Sequence, residues 1–396
     1  MISNRAKSLK PSATLAITAK EKALRAQGLD IAGFGAGEPD FDTPTHIKKA
    51  AIDAILDGYT KYTPAAGSEE LKDAVIGKFK RDNDLEYGRD EVIVTCGGKH
   101  ALYSLFQAIF QEGDEVIVPT PYWVSYPVMV ELAGATPVFV ETHEEDDFQL
   151  TADMLGKHLT EKTRGIILNY PSNPSGSVYQ VSCLEEIGKL AVENGIYLIS
   201  DEIYDKIVYD GYQHTSIASL GQPIKEMTVI THGVSKTYSM TGWRIGFAAG
   251  AREIIQAMSN IQSQSTSNPT SISQKAALAA LTGPQDFVAM MVKEFTRRRD
   301  VLVQGLNSID GVSCFNPKGA FYVFPRFKGL SDRTYKGRKV RSVAKWTEIL
   351  LEDFHVAAVP GGEFGKEGYL RLSFATSMET IEKGLGRISR AVQALD

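Results

Sequence analysis

The sequence predicts an α/β protein with two packed units, a doubly wound body around a mostly parallel seven-stranded sheet and a smaller α+β unit behind it. Three observations carry this reading. Seven short β-branched runs recur, most of them starting 22 to 31 residues apart, and amphipathic helix-length stretches separate them. Beyond residue 285 or so the pattern changes to short strand-like pieces mixed with helical ones. A chain of 396 residues also exceeds one compact core and leaves room for roughly two to three domains.

In chain order the predicted strands are Glu91 to Thr95, Glu115 to Pro119, Pro137 to Glu141, Gly165 to Asn169, Ile196 to Asp201, Met227 to His232 and Ile245 to Gly250. Between them, segments such as Lys99 to Gln111 and Leu184 to Asn194 have apolar residues at helical spacing, the βαβ arrangement of a parallel sheet. The last strand starts 18 residues after its predecessor, too soon for a full crossover helix, so it is expected to run antiparallel. Gln285 to Asn307, with Arg297, Arg298 and Arg299, reads as a long connecting helix. Strands over Ala320 to Pro325, His355 to Val359 and Tyr369 to Phe374, and helices over Val343 to Phe354 and Glu379 to Leu395, complete the second unit. The expected division is 1–44 as an N-terminal segment joining the small domain, 45–285 as the large domain, 286–310 as an interdomain helix and 311–396 as the small domain.

Composition narrows the function classes. With 43 basic against 48 acidic residues the formal charge is −5, which offers no electrostatic footprint for nucleic acid or an anionic membrane. Small-molecule partners are expected instead. Cys96, Cys183 and Cys314 are odd in number and widely spaced, so they form neither a disulfide framework nor a CxxC site, as suits a reducing cytosol. No signal-peptide core and no membrane-length apolar stretch occurs, so a cytoplasmic location is expected. The acidic run Glu144 to Asp147 and the basic stretch Arg333 to Arg341 read as solvated loops.

Several site signatures fail. Gly33, Gly35 and Gly37 do not complete GxGxxG, and Glu38-Pro39 stands where a helix should begin. No phosphate-binding GxxxxGK[ST] and no HExxH is present, so no metal site is expected. Gly233-Val-Ser-Lys-Thr is not GxSxG, and the single SxxK, Ser342 to Lys345, lacks its companion motifs.

One segment stands apart, Gly233-Val-Ser-Lys-Thr-Tyr-Ser-Met-Thr-Gly-Trp-Arg-Ile-Gly246, lying between two predicted strands. Lys236 in such a tight turn is partly desolvated, which lowers its pKa toward that of a usable amine and suits a Schiff-base lysine. Arg244 and Ser235 supply a cation and a hydroxyl fitted to a phosphate dianion. A reactive lysine beside a phosphate clamp points to pyridoxal 5'-phosphate.

This segment resembles the lysine signature of the class I/II aminotransferases, within the fold-type I pyridoxal-phosphate enzymes. The resemblance covers nearly the whole chain and includes Gly37-Glu-Pro-Asp-Phe, Lys61-Tyr-Thr-Pro, Gly97-Gly-Lys, Pro121-Tyr-Trp, Asn169-Tyr-Pro-Ser-Asn-Pro-Ser-Gly, Ser200-Asp-Glu-Ile-Tyr204 and Leu370-Arg-Leu-Ser. It is similar to the bacterial and plastid aspartate aminotransferase branch, some of whose members also transaminate prephenate. Lys236 is then the catalytic lysine, and Asp201, at the carboxyl edge of a buried strand, pairs with the protonated pyridine nitrogen. Tyr204 and Asn173 hydrogen-bond the ring's phenolic oxygen, and Trp123 stacks on the ring. Gly97, Gly98 and Lys99 open a helix whose amide groups take the phosphate with Ser235 and Arg244. Tyr62 matches the tyrosine that reaches the neighbouring subunit's phosphate, which implies a homodimer with shared active sites.

For substrate, the resemblance makes Arg371 the bidentate grip on the α-carboxylate, with Gly37 adding a backbone contact. Lys99 is the candidate for a distal carboxylate, assisted by Thr14 and Lys10, and Trp123 and Asn173 also face the substrate. The expected reaction is a ping-pong transfer from L-aspartate to 2-oxoglutarate, in which Lys236 moves the Cα proton. Prephenate, aromatic or alanine aminotransfer on the same scaffold are the alternatives, and a pyridoxal-binding regulator without catalysis is a remote one. His100 beside the phosphate loop and Ser175, where Thr is frequent, depart from the family pattern.

Overall fold

The computed structural model describes residues 2–9 and 13–396. Its central sheet contains β2 (Val92–Thr95), β3 (Glu115–Thr120), β4 (Thr136–Glu141), β5 (Thr163–Asn169), β6 (Tyr197–Asp201), β7 (Thr228–Gly233) and β8 (Gly246–Ala249), with β1 (Ala32–Gly33) lying elsewhere. The spatial order is β2-β8-β7-β6-β5-β3-β4, and β8 runs antiparallel to both β2 and β7 while every other pairing is parallel. All seven predicted strands form, with ends displaced by one or two residues, and the eighteen-residue spacing marked the antiparallel member correctly.

Helices cover both faces, which is why β2, β7 and β8 are buried throughout rather than alternately. On one face, Ala101, Leu102, Leu105 and Phe106 of helix Gly98–Ile109 pack with Ile254, Ile255 and Met258 of helix Arg252–Ser265. On the other, Leu71, Val75 and Phe79 of helix Glu69–Asn83 meet Ala276, Ala277 and Ala280 of helix Ser271–Thr282. These i, i+3/i+4 sets are the apolar stripes of two-layer packing.

The second unit gathers around helix Asp286–Asn307. Strand Leu370–Ser373 pairs antiparallel with Tyr322–Val323 and with Val359–Pro360, and helices Val343–Phe354 and Met378–Gln393 pack beside them. β1 pairs in parallel with Val356–Ala357, so the segment after helix Ala13–Ala26 is stitched into this unit.

Several predicted pieces are shorter than expected. The strand expected over Ala320 to Pro325 reduces to Tyr322–Val323. That over His355 to Val359 starts one residue late, because His355 at φ 55° ends the preceding helix in the left-handed region, and it divides into Val356–Ala357, paired in parallel with β1, and Val359–Pro360, paired antiparallel with strand Leu370–Ser373. Arg333 to Arg341 is not a plain loop: Thr334–Tyr335 pairs with Arg338–Lys339 in a hairpin, and Val340 is fully buried. Within Glu144 to Asp147, Glu144 accepts a hydrogen bond from Tyr369 Oη at 3.1 Å. Ser342 caps helix Val343–Phe354 by accepting from the Lys345 amide at 3.2 Å, which accounts for the SxxK spacing. The three cysteines are free, and no helix among the described residues is long and apolar enough to cross a membrane.

Candidate active site

The carboxyl ends of β5, β6 and β7 bring Asn169, Asp201 and Thr231 into neighbouring register, and a cavity of about 610 Å³ opens in front of them. A crevice at the carboxyl edge is where open α/β sheets place their ligands. Gly37, Gly98, Lys99, Trp123, Asn173, Asp201, Tyr204, Ser235, Lys236, Arg244, Arg371 and Thr14 all border it. Gly97 lies directly behind Gly98 at the start of helix Gly98–Ile109.

Lys236 follows β7, and its Nζ donates to the Gly37 carbonyl at 2.5 Å. Burial lowers its pKa to about 8; Glu38 opposes this, whereas Arg371 and Arg244 add to it. A fraction of the amine is therefore neutral near physiological pH, the form that attacks a carbonyl or takes a proton.

Asp201 is buried, and burial pushes its carboxyl up to about 6, while Tyr126 and the Ile203 amide pull the other way. Tyr126 Oη donates to Oδ2 at 2.6 Å and the Ile203 amide to Oδ1 at 3.3 Å. Both donors are neutral, and among the described residues Asp201 has no ion-pair partner. A cation brought into the cavity would supply what this carboxylate lacks, and a protonated pyridine nitrogen is such a cation.

The phosphate cradle is defined by contacts that leave no room for side chains. Gly97 has φ 97°, and a Cβ there would stand 2.9 Å from Arg244 Cζ. A Cβ on Gly246 would overlap the Gly98 amide nitrogen and lie 2.8 Å from Gly98 Cα. Arg244 adopts φ 55°, uncommon for a long side chain, and its Nη1 donates to Thr241 O at 2.8 Å. The glycines, the helix start, Ser235 and Arg244 together make an anion site of fitting chemistry for a phosphate.

Arg371, on strand Leu370–Ser373, is buried; Nη1 donates to Asn173 Oδ1 at 3.1 Å and Nη2 to Gly35 O at 2.8 Å. Its Nε has no hydrogen-bond partner. A guanidinium with donor capacity to spare beside a cavity is suited to a carboxylate. Lys99 Nζ sits 4.8 Å from the Trp123 ring centroid, and burial lowers its pKa, with Arg244 adding to the effect. The Tyr204 and Tyr322 hydroxyls lie 3.0 Å apart.

Tyr62, expected at the neighbouring subunit's phosphate, is 89% exposed and outside the lining of this cavity, and Lys10 lies outside the described residues. Other residues reach the site without having been read from the sequence. Tyr126 holds Asp201, and Asn169 Oδ1 accepts from the Asn173 amide at 2.9 Å while its Nδ2 donates to Asp201 O at 3.0 Å. Glu38 accepts from Thr241 Oγ1 at 2.6 Å, and Thr18, Gly35, Ala36, Leu102, Ile203 and Tyr322 also line the cavity. Tyr126 follows Trp123 by three residues on the same turn, a spacing that could have flagged it.

Fold and cavity together are those of a pyridoxal-phosphate-dependent transferase. The chain belongs to the class I and II aminotransferases, whose family model matches residues 30–388. An aspartate aminotransferase from Bacillus sp. (strain YM-2) is 50% identical over 393 residues, covering 99% of each chain. A probable aspartate/prephenate aminotransferase from Rickettsia felis is 47% identical, covering 99% of this chain and 96% of the relative. Among solved structures, the aspartate aminotransferase of Thermus thermophilus with maleate superimposes with a TM-score of 0.93 at 44% identity, covering 99% of each chain.

Proposed function

We propose that this chain is an aspartate aminotransferase converting L-aspartate and 2-oxoglutarate to oxaloacetate and L-glutamate. The observation that carries the reading is that two cationic groups suited to carboxylates, Arg371 and Lys99, border the same cavity as the buried Lys236. The relatives' names and the maleate on the Thermus thermophilus structure agree with a dicarboxylic substrate.

Bound pyridoxal phosphate supplies an electron sink for the substrate's Cα and a carbonyl for Lys236. Arg371 grips the α-carboxylate, with Gly37 beside it, and Lys99 takes the distal one, with Thr14 and Lys10 assisting. Asp201, steadied by Tyr126, keeps the pyridine nitrogen protonated, and Tyr204 and Asn173 address the ring's phenolic oxygen. Trp123 covers the ring face, and Gly97, Gly98, Lys99, Ser235 and Arg244 hold the phosphate. Lys236 Nζ, with its pKa lowered to about 8, would accept the Cα proton and deliver it to the cofactor's C4′. The exposure of Tyr62 suits a residue lent to a partner's phosphate and supports a homodimer as the working unit, and a cytoplasmic location belongs to the same proposal. The domain division 1–44, 45–285, 286–310 and 311–396 belongs to the same proposal.

The test is the visible spectrum of the purified holoenzyme before and after adding aspartate with no oxoacid. Loss of the yellow band with one oxaloacetate per subunit is expected. A band that answers to alanine or aromatic amino acids and ignores aspartate refutes the dicarboxylic assignment, and Lys236→Ala at an undiminished steady-state rate refutes the chemistry. Comparing kcat/KM for prephenate with that for oxaloacetate as acceptor decides between the two activities of this branch.

A further inference from the structure

Behind the cavity lies a charged cluster that the reaction does not use. Lys78 on helix Glu69–Asn83, Asp205 after β6 and His232 in β7 have side chains only 2 to 3% exposed. Lys78 Nζ donates to Asp205 Oδ2 at 2.6 Å, and His232 Nε2 lies 2.9 Å from Asp205 Oδ1. On its other side His232 Nδ1 lies 2.7 Å from the Gly233 amide nitrogen and 3.1 Å from the Gly233 carbonyl oxygen, which fixes the ring against the backbone of β7. The ring also stacks on Phe247 of β8, centroids 5.1 Å apart and planes 3° from parallel. Against its burial, the neighbouring His232 and Lys78 hold the Asp205 carboxyl well below the usual carboxylate range.

The cluster joins three stretches of chain that each lead into the site. Asp205 is the residue after Tyr204, and His232 precedes Ser235 and Lys236 by three and four positions. Helix Glu69–Asn83 leads through residues 84–91, which end in the 3-10 turn Arg89–Glu91, to β2 and the Gly97-Gly98 cradle. A buried ion pair seldom adds net stability, since desolvation offsets most of its attraction, yet it fixes geometry because misalignment strands a charge. From these contacts we infer that Lys78, Asp205 and His232 are positioning residues, a buried clamp that holds Tyr204 in register with Lys236 across the site. The inference rests on the proposed roles of Tyr204 and Lys236.

The experiment compares holoenzymes of the wild type, Asp205→Asn, the double variant Lys78→Met with Asp205→Leu, and Asp210→Asn. Asp205→Asn leaves Lys78 with Asn83 at 3.3 Å and Asp82 at 3.8 Å, and the double variant removes both charges, so at least one folds with near wild-type stability. Asp210→Asn weakens another pair, to Arg299 at 2.8 Å, five residues past Asp205 but outside the cluster and outside the cavity lining. In Asp205→Asn and in the double variant, the pH midpoint of the lysine-bound visible band is expected to move by at least about 0.5 unit. Their kcat is expected to fall about 10- to 100-fold with KM for aspartate nearly constant, while Asp210→Asn keeps both wild-type values. A folded double variant with the wild-type midpoint and kcat overturns the inference. So does Asp210→Asn showing the same losses, since that is general destabilisation. Absence of the visible band in the wild type instead overturns the functional reading, and the clamp with it.

Discussion

Replacing Asp201 by asparagine is expected to stabilise the cofactor-free protein while abolishing its use as an enzyme. The buried carboxyl of Asp201 titrates at about 6, against 3.8 when unperturbed, a rise of about two units or roughly 3 kcal/mol. Because the folded value is the higher one, its contribution is fully present below pH ~4 and is lost as pH rises through ~6. An asparagine side chain at this position has no charge to bury and escapes that loss. One hydrogen bond becomes less favourable, costing about 1 kcal/mol, since the amide cannot accept from both Tyr126 Oη and the Ile203 amide. The net gain above pH ~6 is about 2 kcal/mol, which for a chain of this length raises Tm by roughly 2 to 3 °C. The assay is denaturation of apo wild type and apo Asp201→Asn from pH 4 to pH 8, with kcat measured on the reconstituted proteins. Separation of the two stability curves across pH 4 to 6, with kcat down by at least about 100-fold, is the expected pattern. Parallel curves over that range would refute the account of Asp201 as an uncompensated buried charge.

Three further expectations follow from the site. Tyr126→Phe removes the donor that lowers the Asp201 pKa, so the pH range in which apo stability declines should move upward; an unchanged profile argues against that hydrogen bond. Gly246→Ala forces a Cβ against Gly98, so urea denaturation should show a loss of about 1 to 3 kcal/mol and the dissociation constant for pyridoxal phosphate should rise; a wild-type value for both means that β8 and the helix start part without cost. Arg371→Lys replaces the planar fork by three converging donors, which cannot hold Asn173 and Gly35 and still grip a carboxylate through both oxygens, so KM for aspartate should rise about 10- to 100-fold with a smaller change in kcat.

Much of the body was legible because strands covered by helices on both faces carry unbroken apolar runs, as in Val92 to Val94 and Ile166 to Leu168. The small unit was harder to read, since two-residue strands such as Val312–Ser313 and Arg326–Phe327 carry no periodicity at all. In the site, Lys236, Asp201 and Arg244 belong to motifs with their own chemistry, and the structure gathers them at one cavity. Tyr126 offered only its spacing from Trp123 as a signal, because it sits in the apolar stretch Ser125–Leu132, where a tyrosine reads as core, and the folded chain sets its hydroxyl against Asp201. Tyr322 and Asn169 join for the same reason, through tertiary approach rather than local pattern. The Lys78, Asp205 and His232 cluster draws on positions separated by 127 and 27 residues, beyond any local signal.

The antiparallel course of β8 also governs which changes of length the chain can absorb. Gly233 stands opposite Gly246, so residues 234–245 leave the sheet and return at the same end. One residue more or fewer there would either slip β8 against both neighbours, turning Phe247 from one face to the other, or distort the turn that carries Lys236 and Arg244. The hairpin around Lys336 and Gly337, by contrast, ends in solvent and is bonded across only two pairs of residues. Insertions and deletions should therefore collect at that hairpin and be purged from 234–245, a pattern that a library of single-codon insertions would display directly.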